Sequence, residues 1–297
     1  MWNKPWKMME GFLIGGCLIA IGLLLHLSVG PVVWDAFAWP VNGIVLTSFV
    51  ALIIAMHLLR GKVYAFRFLS TYQAAIPVMC YAVVLTVIMG LTRQSADGQW
   101  IYSMLTFWPF VLTYVYMALI VGLVSTGTVL SLRRKNRPSR PSTALFHLGL
   151  FITMTTATLG NADMQRLKMI AVIGQPEWRA LDQQGRVKEM PLTIELKKFI
   201  METYDDGSPK RFASEIQIQA KSGKTIGTTV DVNKPAEVDG WKIYQYGYDT
   251  EMGAQSSTSI LELVSDPWLP YVYTGIYMML AGALLMLFMG IRKEEQV

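Results

Sequence analysis

The sequence predicts an α-helical polytopic membrane protein with six transmembrane helices and a β-rich extracytoplasmic domain inserted between helices 5 and 6. The 297 residues are 53% hydrophobic and only 16% charged, whereas an ordinary soluble domain carries about 25% charged residues. Six stretches are apolar over the roughly 20 residues that a bilayer-spanning helix needs. Before the last stretch, apolar and polar residues alternate as in β-strands. This composition argues against disorder, a nucleic-acid-binding domain and a plain cytosolic enzyme.

None of the six predicted spans carries a Lys, Arg, Asp or Glu in its interior. Their approximate bounds are 11–29, 41–59, 73–91, 104–132, 143–159 and 271–291. The first is not a cleavable signal peptide, because its apolar run is too long and leads directly into the next span. Pro77 and Pro109 interrupt two of the spans.

The loop charges predict the orientation, since Lys and Arg concentrate in short cytoplasmic loops. With the N-terminus inside, the inner segments hold twelve basic residues, and the two short outer loops hold only Arg93. The twelve are Lys4, Lys7, Arg60, Lys62, Arg67, Arg133, Arg134, Lys135, Arg137, Arg140, Arg292 and Lys293. Both termini are therefore predicted to be cytoplasmic. The net charge of +5 is an orientation signal and gives no support for a nucleic-acid partner.

Three regions follow from this topology: a five-helix transmembrane region (1–160), a β-rich extracytoplasmic domain (161–270), and the last helix with a short cytoplasmic tail (271–297). The middle region is slightly acidic, with 13 basic and 16 acidic residues, and it contains no histidine or cysteine. It therefore cannot host a Ser-His-Asp triad, a Cys-His pair or a zinc site of the usual ligands. We predict no catalytic residue.

Alternating runs predict the strands of the middle region. A hairpin is predicted around a turn at 221–224. A further segment is read either as a strand or as a short helix. The hairpin strands are 214–220 and 225–232, two more strands are 241–248 and 259–264, and the ambiguous segment is 191–199.

The three histidines, His26, His57 and His147, all lie within predicted spans. Ionisable groups inside a bilayer are uncommon and often functional, and neutral imidazole is a common axial ligand of haem iron. Each histidine also has a plain structural interpretation as a packing or interface residue. His57 and His147 fall at similar depth near the cytoplasmic face, with His26 roughly 20 Å away at the opposite face. Cys17 and Cys80 are expected to be small core residues.

Three short motifs in one order carry a resemblance to a known family. They are 146–150 (FHLGL), closing on Gly160; 232–235 (VNKP), followed by 240–245 (GWKIYQ); and 266–267 (DP), before a helix with Gly275 and Gly282. The segment of roughly 143–288 resembles the ResB/CcsB family of system II cytochrome c maturation. That family commonly has fewer spans before its external domain, so the shared motifs do not account for the first four helices.

The resemblance implies a function in a bacterial cytoplasmic (inner) membrane. A ResB-type protein works with a CcsA/ResC-type membrane partner, and together they carry haem b across the membrane and deliver it to apocytochrome c. The family's transmembrane histidine maps onto His147, as an axial ligand of the haem iron. His57 inherits nothing from the family and is a second candidate ligand only because it lies at a similar depth. The basic loop 133–140 could attract the haem propionates, although the orientation of the chain already explains its charges. The chain would then be a non-catalytic or accessory subunit of a holocytochrome c synthase, although the sequence leaves enzymatic activity open.

Two alternatives stay open at this point. One is a transporter or channel unrelated to haem. Against it, the spans lack charged residues and an obvious inverted repeat of broken helices. The other is a structural or sensory membrane protein whose external domain binds a partner.

Overall fold

A computed structural model describes residues 2–95, 98–133 and 140–289. The chain forms two compact units. A helical unit comprises Met1–Ala162 and Trp268–Val297, and a sheet unit comprises Asp163–Pro267. The sheet unit is thus an insertion in the helical unit, between its last two helices in chain order.

The described part of the helical unit contains seven α-helices. They are α1 (Met8–Val29), α2 (Val41–Leu59), α3 (Tyr64–Phe68), α4 (Tyr72–Leu91), α5 (Trp108–Ser131), α6 (Pro141–Gly160) and α7 (Leu269–Met289). All except α3 are long and apolar enough to cross a membrane, so the prediction of six spans is confirmed. An apolar segment takes this form in a bilayer because a helix satisfies its own backbone hydrogen bonds.

The structure corrects the start of the fourth span and its proline. The predicted span began at residue 104, but residues Trp100–Thr106 form a 3-10 helix and α5 begins at Trp108. Pro109 lies in the first turn of α5, where a backbone N–H has no helical acceptor to lose, so it starts the helix and does not interrupt it. Pro77 does lie inside α4. The expectation for Cys17 and Cys80 is wrong, since both side chains are exposed.

Helices α6 and α7 approach so closely that their backbones are in contact. A Cβ atom placed on Gly149 would lie 2.6 Å from the carbonyl oxygen of Gly275, and one placed on Gly282 would lie 2.6 Å from the backbone nitrogen of Phe146. Side chains larger than hydrogen do not fit at these positions. Small residues at a helix interface maximise the van der Waals contact that holds membrane helices together. On the other side of α6, α5 packs against α1, α2, α4 and α6.

The sheet unit is one antiparallel sheet of eight strands in the order β5-β4-β3-β2-β1-β8-β7-β6. The strands are β1 (Gln165–Val172), β2 (Pro176–Leu181), β3 (Val187–Thr203), β4 (Pro209–Ala220), β5 (Thr225–Asp231), β6 (Ala236–Val238), β7 (Trp241–Tyr248) and β8 (Thr258–Ser265). The predicted hairpin is β4–β5, the predicted strands at 241–248 and 259–264 are β7 and β8, and the ambiguous segment 191–199 lies within β3. These β-strand predictions are confirmed.

Alternating residues of the strands form one buried core on the inner face of the sheet. Its fully buried members include Met169, Ile194, Ile218, Ile243 and Leu261. The sheet curves so that β5 contacts β6 and β7 near its other edge, which closes the core from both sides. The β6–β7 turn consists of Asp239 and Gly240, both with positive φ (46° and 82°), as the tightest antiparallel hairpin requires.

Replacing Gly149 by alanine is expected to lower the thermal unfolding midpoint of the full-length chain in detergent by about 5 °C. The added methyl group would have to push α7 away, and overpacking of this kind costs about 1–3 kcal/mol. Gly90→Ala is the matched control, because no atom lies within 4 Å of a Cβ at that helical position. An unchanged midpoint for Gly149→Ala would contradict the close α6–α7 contact.

Protonation of Glu177 at low pH is expected to lower the stability of the folded protein. The Arg179 guanidinium donates to both carboxylate oxygens, at 2.9 and 3.0 Å. With help from the backbone N–H groups of Trp178 and Arg179, this lowers the pKa of Glu177 to about 2, from 4.5. A depressed pKa stabilises the folded state above about pH 4.5, and this stabilisation is lost as the pH falls towards 2.

The measurement is the thermal midpoint of the full-length chain between pH 6 and pH 2. Glu177→Gln is expected to lie about 2 °C below wild type at pH 6 and to converge with it near pH 2. Glu251→Gln is the control, because among the described residues Glu251 makes no ion pair. A constant difference between Glu177→Gln and wild type at every pH would show that the carboxylate charge is not responsible.

Candidate functional site

His147 lies in the second turn of α6 with its proton position fixed by the helix itself. Its Nδ1 atom is 2.8 Å from the carbonyl oxygen of Thr143, one turn earlier. A carbonyl oxygen only accepts, so Nδ1 carries the proton and donates it. The neutral ring then has its lone pair on Nε2. Histidines that bind metals commonly have this arrangement, in which the second ring nitrogen donates to a backbone carbonyl.

His147 belongs to the stripe of α6 that contacts α5. Phe151 and Met154 follow it at the i+4 and i+7 positions of one helix face. The Met154 carbonyl accepts a hydrogen bond of 3.2 Å from the hydroxyl of Tyr114 on α5. A Cβ placed on Gly122 of α5 would lie 2.8 Å from the Phe151 ring. The glycines that contact α7 lie on the opposite face of α6. The half-buried His147 is therefore not part of the close α6–α7 interface.

His57 lies in the last turn of α2, is buried and is held in the opposite tautomer. Its Nδ1 is 3.3 Å from Nη1 of Arg60. A guanidinium only donates, so this Nδ1 must accept and the neutral ring carries its proton on Nε2. The ring lies against α5, because a Cβ placed on Gly127 would be 3.5 Å from the His57 Cε1 atom.

The structure places His57 and His147 near the same level of the helical unit. Two contacts define the register of α2 and α6: the Asn42 side-chain amide donates to the Leu159 carbonyl at 3.2 Å, and the rings of Phe49 and Phe151 are stacked 6.3 Å apart. Extending this antiparallel register puts His57 opposite position 144. That is three residues, or roughly 5 Å, from His147 along the helix axis.

His26 lies at the other end of the helical unit. Its ring is 5.4 Å from that of Trp100 and 5.1 Å from that of Phe107, and its buried Nδ1 has no hydrogen-bond partner among the described residues. Helix α1 meets Pro109 at Gly22, whereas His57 meets α5 at Gly127, about 27 Å further along that helix. His26 therefore cannot share a site with the other two histidines.

The basic loop 133–140 lies only partly within the described residues. Arg133 is the last described residue before it and Arg140 is the N-cap of α6, while Arg134, Lys135 and Arg137 lie outside the described residues. In the part of the chain that the structure describes, no group of three or more His, Cys, Asp or Glu side chains is arranged to hold a metal ion.

Sequence reasoning missed the partners that distinguish the two histidines. The partner of His147 is the backbone carbonyl of Thr143. A helix places a carbonyl oxygen four residues before every residue, so this partner could have been predicted from the sequence. Arg60 follows His57 by three residues, a spacing that brings side chains together on a helix. Both signals are therefore local. The contacts of Gly122 and Gly127 with α2 and α6 join distant parts of the chain and leave no local signal.

Six membrane-spanning helices with an inserted eight-stranded sheet define a multi-pass membrane protein with one sheet domain outside its spans. A model of the family described as "ResB-like family" matches residues 125–261, from α5 to β8. Over this segment the chain is similar to the ResB-like family, in agreement with the resemblance carried by the motifs around His147 and Trp241. The segment contains His147 and excludes His57 and His26.

Similar proteins carry the name cytochrome c biogenesis protein CcsB. Those of Prochlorococcus marinus strains NATL1A and NATL2A are each 29% identical over 101 residues, which is 34% of this chain and 23% of theirs. That of Prochlorococcus marinus subsp. pastoris (strain CCMP1986 / NIES-2087 / MED4) is 28% identical over 130 residues, 43% of this chain and 29% of its own. The matches span less than a third of the length of these relatives.

The opposite tautomers of His57 and His147 can be observed by ¹⁵N NMR of histidine-labelled full-length chain at about pH 8.5, above the ordinary imidazole pKa. We expect the signals of one histidine ring that is protonated on Nδ1, and these signals should disappear in His147→Asn. A second ring protonated on Nε2 should disappear in His57→Asn. If both variants remove signals of the same tautomer, the assignment of either the carbonyl or the guanidinium contact is wrong.

Proposed function

We propose that this protein is a subunit of a system II cytochrome c maturation complex. It takes part in haem transport across the cytoplasmic membrane and in haem delivery to apocytochrome c, together with a CcsA/ResC-type partner. The observation that carries the proposal is the state of His147. It has a ring held in the metal-binding tautomer, on a spanning helix, within the segment that matches the ResB-like family.

The membrane arrangement follows from charge. We assign the chain to a bacterial inner membrane with both termini in the cytoplasm and residues 161–270 outside. Seven of the basic residues behind this assignment are described: Lys4 and Lys7 before α1, Arg60, Lys62 and Arg67 between α2 and α4, and Arg133 and Arg140 between α5 and α6. In this orientation His57 and His147 lie towards the cytoplasmic ends of their helices, where haem b enters as cargo.

The residues around His147 fit a porphyrin ligand. Nε2 of His147 would offer its lone pair to the iron of a bound haem, and the neighbouring positions of its stripe are the apolar Phe151 and Met154. His57 fits less well as the second ligand, because the Arg60 contact places a proton on its Nε2. We therefore assign the second ligand to the partner. When bound, haem supplies the iron and the vinyl groups for attachment, and this chain holds and orients it.

The sheet unit supports an accessory role for this subunit. It contains no histidine or cysteine, so it offers neither an imidazole ligand nor a thiol for haem attachment. Its aromatic strand β7 divides between two faces: Trp241 is in the buried core, whereas Tyr246 is half exposed with the Lys168 ammonium 3.8 Å from its ring centre. Outside the membrane this unit is available to position apocytochrome c.

The test is the haem content of the full-length chain purified with its CcsA/ResC-type partner. His147→Ala is expected to lower bound haem at least tenfold, because the axial ligand is removed. His26→Ala is the matched control, with the same substitution in a spanning helix at the other end of the unit. Haem is measured by the absorption spectrum of the complex, and the thermal midpoint shows that each variant is folded.

Two results would contradict the proposal at different levels. If His147→Ala keeps full haem with an unchanged spectrum, the ligand assignment is wrong. If the wild-type complex contains no haem and cells lacking this chain still mature cytochromes c, the proposed function itself is wrong.

A further inference from the structure

A basic cavity lies at the end of the helical unit, outside the segment that matches the ResB-like family. It has a volume of about 560 Å³ and is bounded by the N-terminal segment, the α2–α3 turn, α3 and the α3–α4 turn. Four of its lining side chains are cationic: Lys4, Arg60, Lys62 and Arg67. Among the described residues, no carboxylate lines it.

The cations of the cavity have no carboxylate partner in the part of the chain that the structure describes. Among the described residues, none of the four forms an ion pair. Lys4 lies over the ring of Tyr64, with its Nζ 5.0 Å from the ring centre, and Arg60 donates to His57. The carboxylate at the start of α1, that of Glu10, accepts from the backbone N–H groups of Trp2 and Lys7 instead. Like charges gathered in this way repel one another unless an anion joins them.

A buried hydroxyl gives the cavity a specific polar contact. Ser70 lines it, and its Oγ atom is buried without a hydrogen-bond partner in the described structure. Leaving a buried hydroxyl unpaired costs free energy, and an oxyanion in the cavity would remove that cost. Four cations and one free hydroxyl are the groups that bind a phosphate.

We propose that this cavity binds the phosphate of an anionic phospholipid headgroup. Apolar side chains adjoining the lining residues in sequence are exposed: Leu58 is 73% exposed, Val63 38% and Tyr72 64%. A lipid whose headgroup occupies the cavity can place its acyl chains on this apolar surface. Basic pockets between spanning helices on the cytoplasmic side bind such headgroups.

The test titrates the full-length chain in neutral detergent with phosphatidylglycerol and counts bound lipids by native mass spectrometry. Lys62→Gln/Arg67→Gln is the main variant, since neither residue contacts His57. Its dissociation constant is expected to rise about 25-fold, at about fivefold for each cation. Ser70→Ala is expected to raise it roughly tenfold. Arg93→Gln removes an exposed arginine that does not line the cavity and should change nothing.

Two further titrations test whether the cavity binds a lipid headgroup or free phosphate. Phosphatidylcholine, with no net charge, should bind much more weakly than phosphatidylglycerol. Inorganic phosphate should bind weakly, because it lacks acyl chains to cover the apolar surface. The proposal is overturned if Lys62→Gln/Arg67→Gln binds phosphatidylglycerol as wild type does. Inorganic phosphate that binds as tightly as the lipid would overturn the lipid assignment.

Discussion

The backbone contact between α6 and α7 is the constraint on which the helical unit and its insertion both depend. Lipid is as apolar as the helix surfaces, so hydrophobic burial does not drive spanning helices together, and close packing must do so. Gly149, Gly275 and Gly282 provide that packing. The same two helices precede and follow the sheet unit in the chain. Joining them brings the two ends of a long insertion together, so the sheet unit can fold as a compact body of its own.

The same contact determines which face of α6 is available for chemistry. Glycines and small polar residues occupy the face towards α7, and the opposite stripe carries the large side chains His147, Phe151 and Met154 towards α5. The close α6–α7 contact leaves no room for a large side chain on the α7 face, and His147 lies on the other face. Within that stripe the local backbone sets the state of the imidazole, because the i−4 carbonyl accepts its Nδ1 proton. Packing thus selects the position of His147, and helix geometry selects its tautomer.

Spans and strands were predictable from the sequence because their signals are local. An apolar run of 20 residues has no other low-energy form in a bilayer, and alternation with a turn at 221–224 defines the β4–β5 hairpin. Helix α3 has only five residues, too few for a periodic pattern. The prediction that Pro109 interrupts a span is wrong, because α5 begins at Trp108 and not at residue 104. In a soluble protein a free cysteine is usually buried, but a membrane helix can expose apolar side chains to lipid. Cys17 and Cys80 therefore lie on the outer surface. The tautomers and the basic cavity depend on which helices are neighbours, and no local pattern encodes that.

Arg60 belongs to both sites of the helical unit, and its chemistry allows both uses at once. A guanidinium has five N–H donors in one plane. One of them is used on Nδ1 of His57, and the same side chain lines the cavity. Because Arg60 and His57 lie outside residues 125–261, this link belongs to the first helices, which the family's motifs do not account for. Those helices thus bring a cationic, lipid-facing site within about one turn of the histidine level in the bundle.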